Sequence, residues 1–335
     1  MSTVNNSSHE SDNTFASSEI SLPRPIRFWL MLLFNIPSII CSFCLILHII
    51  IDRIQRYALQ NHTILLILVF GLPIQLMDIN FYLVFFRYGS VQPSKPFICL
   101  LWWLADYGFY IGGIILMAWL AIERHILIFH NRLVGNQRGR FYFHYLPLII
   151  ILTYIFLFYS IVIFFLPCQN TYDYLVPVCG ASPCYQTYGI LCMWEFIVNT
   201  TTPIFLEGIG SISLVVRVQW QKQRLNKSTQ WRKQRRMTIQ LCLISSLNLI
   251  LNLPIYLIPL AHLCGLPSEY GIQAELYFFF LGYFVIFLFP FASLCQFPKL
   301  RKIIIMKILN VISKRSRHTA VVAPIMKDMQ MDRLA

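Results

Sequence analysis

Seven long apolar stretches constrain the fold of this sequence more than any other feature. Each is at least as long as the ~20 residues that an α-helix needs to cross about 30 Å of hydrocarbon. The chain is 57% hydrophobic and only 12% charged, which is more apolar side chain than a soluble domain can cover with polar surface. Short alternating segments, which would predict barrel strands, do not occur. We therefore predict an all-α, seven-transmembrane helix bundle with spans near 26–51, 62–86, 97–122, 145–166, 188–216, 237–263 and 272–297.

The predicted bundle, residues 26–297, leaves a polar segment at each end of the chain. Residues 1–25 are rich in Ser and Asn and lack the apolar core of a cleavable signal peptide, so the first span is expected to direct insertion. Asn5 and Asn6 each begin an Asn-x-Ser triplet in this segment and are predicted glycosylation sites if it is extracellular. Residues 298–335 form a basic tail.

The basic residues are distributed unevenly between the two sides of the predicted bundle. Of 27 Lys and Arg residues, only Arg24, Arg27, Arg87 and Lys95 fall on the side of the N-terminus. The positive-inside rule therefore predicts a multi-pass plasma-membrane protein with an extracellular N-terminus and a cytoplasmic C-terminus. A net charge of +13 would suggest nucleic acid as the partner of a soluble protein. In a membrane protein, the same charge indicates topology and contact with anionic lipid, and no nucleic-acid partner is predicted.

Four cysteines fall at or beyond the predicted outer ends of the helices, where thiols are oxidised. They are Cys99, Cys168, Cys179 and Cys184, and they allow three pairings as two disulfides. Cys99 opens the third span, so a bridge from it to the loop 167–187 would hold that loop over the bundle. We expect its partner to be Cys184 or Cys179, with Cys168 in the other bridge.

Four acidic residues lie within the apolar stretches, where an ionisable group costs at least a few kcal/mol. Asp78, Asp106 and Glu195 fall in the outer half of the bundle, and Glu207 lies deeper. If the first three converge, they would attract a cationic ligand or a metal ion, because opposite charges attract strongly in a low-dielectric cavity. The alternative interpretation is that one or more of them is protonated and hydrogen-bonded to a neighbouring helix, because burial raises the pKa of a carboxyl group.

Arg124 lies eighteen residues after Asp106, which corresponds to five whole turns of α-helix and about 27 Å. This spacing predicts an outer acid and an inner guanidinium on one face of the third helix. Arg124 could form an ion pair with the adjacent Glu123 at the cytoplasmic mouth and exchange it for a partner protein. The alternative is an arginine that only anchors the helix at the interface.

These motifs resemble the rhodopsin-like family of G-protein-coupled receptors over about residues 26–310. Glu123-Arg124-His125 is similar to the family's acidic-Arg-Tyr triplet, and Cys99 precedes Arg124 by the expected twenty-five residues. Prolines at 203, 254 and 290 match those of helices five, six and seven. The segment that begins at Phe297-Pro298 resembles the family's short amphipathic helix along the inner membrane surface.

The resemblance implies a receptor that transmits an extracellular signal to a heterotrimeric G protein. In some members of the family, the position matched by Asp106 binds the ammonium group of an amine or peptide ligand. Asp106, Asp78 and Glu195 are accordingly the predicted ligand-binding residues, and Glu123, Arg124 and His125 are the predicted G-protein-coupling residues.

Three other functions are weighed against this prediction. Attachment of retinal requires a lysine in the last span, and residues 272–297 contain none. No nucleophile motif or metal-ligand constellation predicts an enzyme, a cofactor or a metal site. A polytopic transporter or channel remains the alternative, because the four acids could line a polar path across the bundle.

Overall fold

The computed structural model of the chain describes residues 20–180, 183–224, 228–267, 270–298, 300–302 and 306. Seven of its helices are long and apolar enough to cross a membrane. Within those ranges, no β-strand occurs. The all-α seven-helix prediction is therefore confirmed, whereas Asn5 and Asn6 lie outside the described residues.

The seven helices, named α1 to α7 in chain order, extend slightly beyond the predicted spans at most ends. The largest differences are at the starts of α6, which begins at Ser228 rather than near residue 237, and of α4, which begins at Gln137 rather than near residue 145. The first turns of both helices contain polar and basic residues that lowered the apolar signal. The bounds are α1 Arg24–Ile51, α2 Leu59–Tyr88, α3 Pro96–Phe129, α4 Gln137–Phe165, α5 Gly189–Trp220 with helical turns to Arg224, α6 Ser228–Leu263 and α7 Ile272–Leu294.

Short helices occupy several of the connections. Asp52 begins one of them, and its side chain accepts a hydrogen bond from the Ile54 amide, a common N-terminal cap. The loop between α4 and α5 contains two short 3₁₀ turns rather than an extended chain. The short helices are Arg53–Arg56, Asn131–Gly135, Pro177–Gly180 and Cys184–Thr187.

Wide π-helical turns interrupt four of the long helices. Pro147 and Pro203 each lie two residues after such a segment, at Phe141–Tyr145 and Glu195–Thr201. Proline has no N–H to donate, and its ring collides with the carbonyl four residues earlier, so a wider turn relieves the conflict. Pro147 and Pro203 are therefore the sequence features that indicate a wide turn in these two segments.

Helix α3 lies at the centre of the bundle. In its most apolar window 61% of the residues are buried, compared with 28% for α4. Its side chains contact α2, α4, α5 and α7, as the hydrogen bonds below show. A central α3 can therefore connect groups at opposite ends of the bundle, whereas most of α4 faces outward.

The chain divides into two compact units, Met1–Ser293 and Leu294–Ala335. The first unit contains the bundle. In the second, helical hydrogen bonds join the Phe297 amide to the Leu294 carbonyl and the Arg301 amide to the Phe297 carbonyl. Most of the predicted amphipathic helix lies outside the described residues.

Candidate functional site

All three predicted ligand-binding acids lie in π-helical segments near one end of the bundle. Asp78 lies in Ile74–Asp78 of α2, Asp106 in Leu104–Ile111 of α3 and Glu195 in Glu195–Thr201 of α5. Wide turns of this kind are rare and are frequent at functional sites. We call this end of the bundle the disulfide end, because both disulfides lie there.

The π-helical segment of α3 changes the geometry expected for Asp106 and Arg124. The five-turn spacing assumed an uninterrupted α-helix, which α3 is not. Asp106 contacts α7, whereas Arg124 contacts the start of α2. The two residues lie at opposite ends of α3, as predicted, but the prediction that they share one face of a regular helix is wrong.

Asp106 is held by an aromatic hydroxyl from α7. The Tyr283 hydroxyl donates to Asp106 Oδ1 over 2.9 Å, and both side chains are buried. The Tyr283 ring packs against Tyr82 and Tyr110, with ring centroids 5.4 and 5.8 Å away. The Tyr283 side chain therefore covers the Asp106 carboxylate on the side that faces α7.

Asp78 is held in the same way by an indole. Trp102 Nε1 donates to Asp78 Oδ1 over 2.7 Å, and neither residue has any exposed surface. The Trp102 ring lies 5.1 Å from Tyr82, which also contacts Tyr283. The structure thus brings Asp78 and Asp106 to one aromatic group, formed by Trp102, Tyr82 and Tyr283.

Glu195 is bonded to the loop between α4 and α5 rather than to the aromatic group. The Tyr185 hydroxyl donates to Glu195 Oε1 over 2.8 Å. Burial, and secondarily the negative charge of Glu195, raises the pKa of the Tyr185 hydroxyl above its ordinary value. Tyr185 therefore remains a donor, and each of the three acids accepts a hydrogen bond from an aromatic side chain.

A cavity of about 360 Å³ opens beside the aromatic group, between α1, α2, α6, α7 and the loop. Tyr82 and Tyr283 form part of its wall, and none of the three predicted acids lines it. Its lining contains one acid and one base, Glu275 and Arg27, which the sequence reasoning did not single out. The remaining lining residues are Ile20, Met31, Phe86, Val176, Pro177, Val178, Ile255, Ile272, Leu276, Phe279 and Phe280.

The position of Glu275 in the first turn of α7 was the available signal for this residue. Acids are common in the first turn of a helix for electrostatic reasons alone, so this position does not distinguish a ligand-binding acid from an ordinary one.

Two disulfides fix the loop that covers this cavity. Cys99 of α3 is bonded to Cys179, and Cys168 is bonded to Cys184. Cys184, the first partner expected for Cys99, is therefore not bonded to it. The loop places buried Cys179 over the start of α3, whereas the Cys184 amide is held by Asn170 Oδ1 over 2.8 Å, near the other bridge.

The backbone of the loop is strained where it meets α3. Val178 and Cys179 have φ values of 56° and 53°, in the left-handed region that costs a β-branched residue most. Trp103 Nε1 donates to the Val178 carbonyl over 2.8 Å, and the disulfide holds the next residue. These contacts keep the loop in place as the roof of the cavity.

A chain of polar side chains continues from the aromatic group toward the middle of the bundle. The Tyr110 hydroxyl donates to Asn252 Oδ1 over 2.7 Å, and Asn252 Nδ2 donates to Asn248 Oδ1 over 2.6 Å. Asn248 Nδ2 in turn donates to the carboxylate of Glu207. The chain joins α3, α6 and α5.

Gly282 makes this chain possible. A Cβ atom at this position would lie 2.6 Å from both Asn252 Oδ1 and the Tyr110 hydroxyl. The close approach of α7 therefore requires a residue without a side chain here.

The predicted G-protein-coupling residues lie at the other end of α3, which we call the Arg124 end. Arg124 is 1% exposed, and its Nη2 donates to the Gln60 carbonyl over 3.0 Å. His125 contacts α5, with Nε2 2.7 Å from the Gly210 carbonyl and 3.0 Å from the Ser213 hydroxyl. The three residues of the triplet therefore point to different neighbours.

The expected ion pair between Glu123 and Arg124 is not formed among the described residues. Glu123 Oε2 instead accepts a 2.5 Å hydrogen bond from the Thr63 hydroxyl, and Oε1 lies 2.5 Å from His144 Nδ1. Adjacent residues on a helix diverge by about 100°, so the two side chains bond to different residues, Arg124 to Gln60 and Glu123 to Thr63 and His144. The carboxylate joins α3 to α2 and α4.

Comparison with known proteins gives one informative result. No protein-family model matches the sequence, and no curated protein matches it. Among solved structures, the crystal structure of squid rhodopsin superposes with a TM-score of 0.61 at 16% sequence identity, covering 87% of each chain. At this level of identity the similarity concerns the arrangement of helices. The chain therefore has the seven-helix fold of rhodopsin.

Proposed function

We propose that this chain is a plasma-membrane receptor that transmits the binding of an extracellular ligand to a heterotrimeric G protein. The observation that carries the proposal is the Tyr283–Asp106 hydrogen bond, which connects the wall of the cavity to α3. The same helix bears buried Arg124 at its far end. The rhodopsin fold supports this arrangement of an outer site and an inner site.

The disulfide end faces outward in this proposal, and the Arg124 end faces the cytoplasm. Disulfides persist in an oxidising compartment, and both lie at the end that also carries few basic residues. The basic residues concentrate at the opposite end, as the positive-inside rule requires.

The ligand is a small molecule with an apolar body and a cationic group. A cavity of about 360 Å³ is at the small end of the usual range for ligand sites, about 300–1,000 Å³, and favours an amine over a whole peptide. The aromatic and aliphatic lining would take the body, and Glu275 lies in the cavity to attract the cation.

Asp106 is the second anion available to such a ligand. It lies behind Tyr283, so a cationic group that displaced this hydroxyl would reach the carboxylate directly. Asp78 accepts from the same aromatic group, and Glu195 accepts from Tyr185. We propose that these two carboxylates are further anions that stabilise the positive charge of the ligand without contacting it.

Binding at the cavity would change the Arg124 end through α3, α5 and α6. The ligand can shift the equilibrium only if it binds one arrangement of the helices better than the other. Displacement of Tyr283 provides such a difference, because Tyr283 packs on Tyr110, the first member of the polar chain to Glu207. The G protein would then bind the arrangement in which Arg124 has left the Gln60 carbonyl.

The test uses guanine-nucleotide exchange on purified G proteins added to membranes that contain the receptor. A panel of small aromatic and aliphatic amines is the probe. We expect Arg124→Ala to abolish amine-stimulated exchange while surface expression persists, and Arg132→Ala, an exposed arginine at the same end, to retain it.

Equal exchange by the Arg124→Ala variant would contradict the proposal. An amine-evoked current in cells depleted of G proteins would favour the channel alternative instead.

A further inference from the structure

An open cavity of about 820 Å³ lies at the Arg124 end of the bundle, where the connection from α3 meets the start of α4. We call it the α4 cavity. Two exposed arginines, Arg138 and Arg140, line it. No acidic residue occurs in the sequence between Glu123 and Asp173, and the lining itself contains none. The other lining residues are Gly135, Gln137, Phe141, Tyr142 and Tyr145, so the cavity is cationic and aromatic.

The backbone that carries the two arginines is held by contacts within the connection. Arg140 Nε donates to the Val134 carbonyl over 3.1 Å, and the Arg140 amide donates to the Asn136 carbonyl over 3.0 Å. A Cβ atom at Gly139 would overlap the Leu133 carbonyl oxygen, so this turn is as close as two segments of backbone can come. The start of α4 therefore presents its arginines from a fixed turn.

Most of the N–H donors of the two guanidinium groups are available to a ligand. Among the described residues, the Arg138 side chain donates to no protein acceptor, and the side chain of Arg140 donates only through Nε. A guanidinium group has five N–H donors in a planar fork and remains cationic throughout the ordinary pH range. This geometry matches two oxygens of a phosphate group at once.

The exposed side chains of α4 change along the helix in the order of the layers of a bilayer. The arginines come first, Tyr142 and Tyr145 follow, and exposed aliphatic residues such as Ile149 and Ile150 come next. Tyrosine is enriched where headgroups meet hydrocarbon. From residue 138 to residue 149 the helix rises about 15 Å, half the thickness of the hydrocarbon core. The α4 cavity therefore lies at the level of the phospholipid headgroups.

The size of the α4 cavity favours a whole headgroup over a single phosphate ion. Its volume of about 820 Å³ falls within the usual range for a complete ligand, about 300–1,000 Å³. Phe141 and Tyr142 pack edge to face, with ring centroids 5.6 Å apart, and give the cavity an apolar side. The glycerol and the first methylene groups of a lipid would contact that side.

We propose that the α4 cavity binds an anionic phospholipid of the adjacent leaflet, with the headgroup phosphate held by Arg138 and Arg140. The proposal requires that the chain span a bilayer, and it depends neither on the ligand of the outer cavity nor on a G protein. If the two arginines only set the topology of the chain, no lipid should be preferred at this position. The two interpretations therefore differ in a measurable way.

The first test measures lipid binding at this position in the purified full chain in detergent. A phosphatidylinositol phosphate with a photoreactive acyl chain is titrated, and label on residues 137–150 is quantified by mass spectrometry after irradiation. The Arg138→Gln/Arg140→Gln variant should raise the midpoint of labelling about thirtyfold, taking about 1 kcal/mol for each arginine at a membrane surface. The midpoint for the unaltered chain should be well below that for photoreactive phosphatidylcholine, and equal midpoints would overturn the proposal.

The matched control removes two other exposed arginines from the same end of the bundle. Arg53→Gln/Arg56→Gln changes the net charge by the same amount but leaves the lining of the α4 cavity intact. We expect its midpoint for labelling of residues 137–150 to stay within twofold of the original. An equal rise in both double variants would mean that the attraction is diffuse, and the site would be overturned.

A single variant guards against a loss of structure, since Arg140 also holds the connection through Val134. Arg138→Gln removes no hydrogen bond to the described residues and should leave thermal unfolding in lipid-free detergent unchanged. It should still raise the midpoint of labelling about fivefold. An unchanged midpoint would contradict the assignment of Arg138 to the phosphate.

Competition distinguishes a lipid from a soluble phosphate compound. The water-soluble headgroup, inositol phosphate, and inorganic phosphate are added against the photoreactive lipid. We expect each to require a concentration about a hundredfold higher than the unlabelled lipid, the effect of burying a few methylene groups. Tyr142→Ala should reduce that difference. Displacement by inositol phosphate at the same concentration as the lipid would assign the α4 cavity to a soluble compound and overturn the proposal.

Discussion

The two ends of the bundle hold their buried acids with different kinds of donor. At the disulfide end, Asp78, Asp106 and Glu195 accept from an indole and two phenol hydroxyls. At the Arg124 end, Glu123 accepts from a threonine and lies against a histidine. Indole and phenol keep their protons throughout the ordinary pH range, whereas imidazole does not.

An aromatic donor can be displaced by a competing cation. The contacts of the disulfide end are therefore compatible with the proposed recognition of a ligand, whereas the contacts of Glu123 at the Arg124 end join α3 to α2 and α4.

Removal of the disulfides tests whether the cavity depends on the disulfide-bonded loop between α4 and α5, and it has the largest expected effect. Loss of the Cys99–Cys179 bridge by a double substitution to alanine should lower the free energy of unfolding by about 4.5 kcal/mol, because the closed loop is long. The Cys168–Cys184 bridge closes a much shorter loop, and its double alanine variant should lose about 3 kcal/mol. Chemical denaturation in detergent measures both.

The histidine contacts at the Arg124 end should be unchanged in these two variants. A change in the histidine resonances of the Cys99/Cys179 variant would show that the structure of one end depends on the other. The two ends could then not be compared as independent sites.

Replacement of Trp102 by phenylalanine tests whether the aromatic donors stabilise charge. Trp102→Phe removes the donor to Asp78 and should cost about 2–3 kcal/mol, the value for a hydrogen bond to a charged group. Trp103→Phe is the matched control, since that indole is equally buried but donates to a neutral carbonyl, and should cost about 1 kcal/mol. Equal shifts in thermal unfolding for the two variants would mean that Asp78 is uncharged.

Removal of the Tyr283 hydroxyl tests whether this group competes with a ligand. Tyr283→Phe should increase the affinity of small amines for the cavity by about thirtyfold, because about 2 kcal/mol of hydrogen bonding to a charged group no longer opposes contact with Asp106. Competition between amines for a fluorescent probe bound in the cavity measures the change.

Tyr277→Phe is the control for this measurement, since Tyr277 lies on the same helix and bonds to Ser21 instead. Weaker amine binding by Tyr283→Phe would mean that the hydroxyl contacts the ligand and does not compete with it.

The sequence was sufficient to predict the fold, because a lipid environment leaves few choices. Seven apolar stretches of the right length must be helices, since only closed backbone hydrogen bonding is stable in hydrocarbon. The ends of the helices were harder to predict: α4 begins with Gln137 and two arginines, and such polar turns resemble a loop in a hydropathy profile.

The site could be predicted only in part, because contacts between helices depend on rotation about each helix axis. The sequence identified Asp78, Asp106 and Glu195 as buried acids but could not assign them aromatic donors. It placed Glu123 beside Arg124, whereas the helix sends these side chains to different neighbours. Spacing rules also assumed regular α-helix, and the wide turn at Asp106 has no proline to reveal it.

The wide turns have a consequence for how such a protein could change its ligand. Each of the three acids lies in a segment that contains more residues per turn than an α-helix. Deleting one residue from such a segment would restore regular α-helical winding while the turns on either side kept their register, so only side chains of the wide turn itself would be redirected. A single codon lost from α2, α3 or α5 would thus move one buried acid to a new direction while the bundle around it kept its shape.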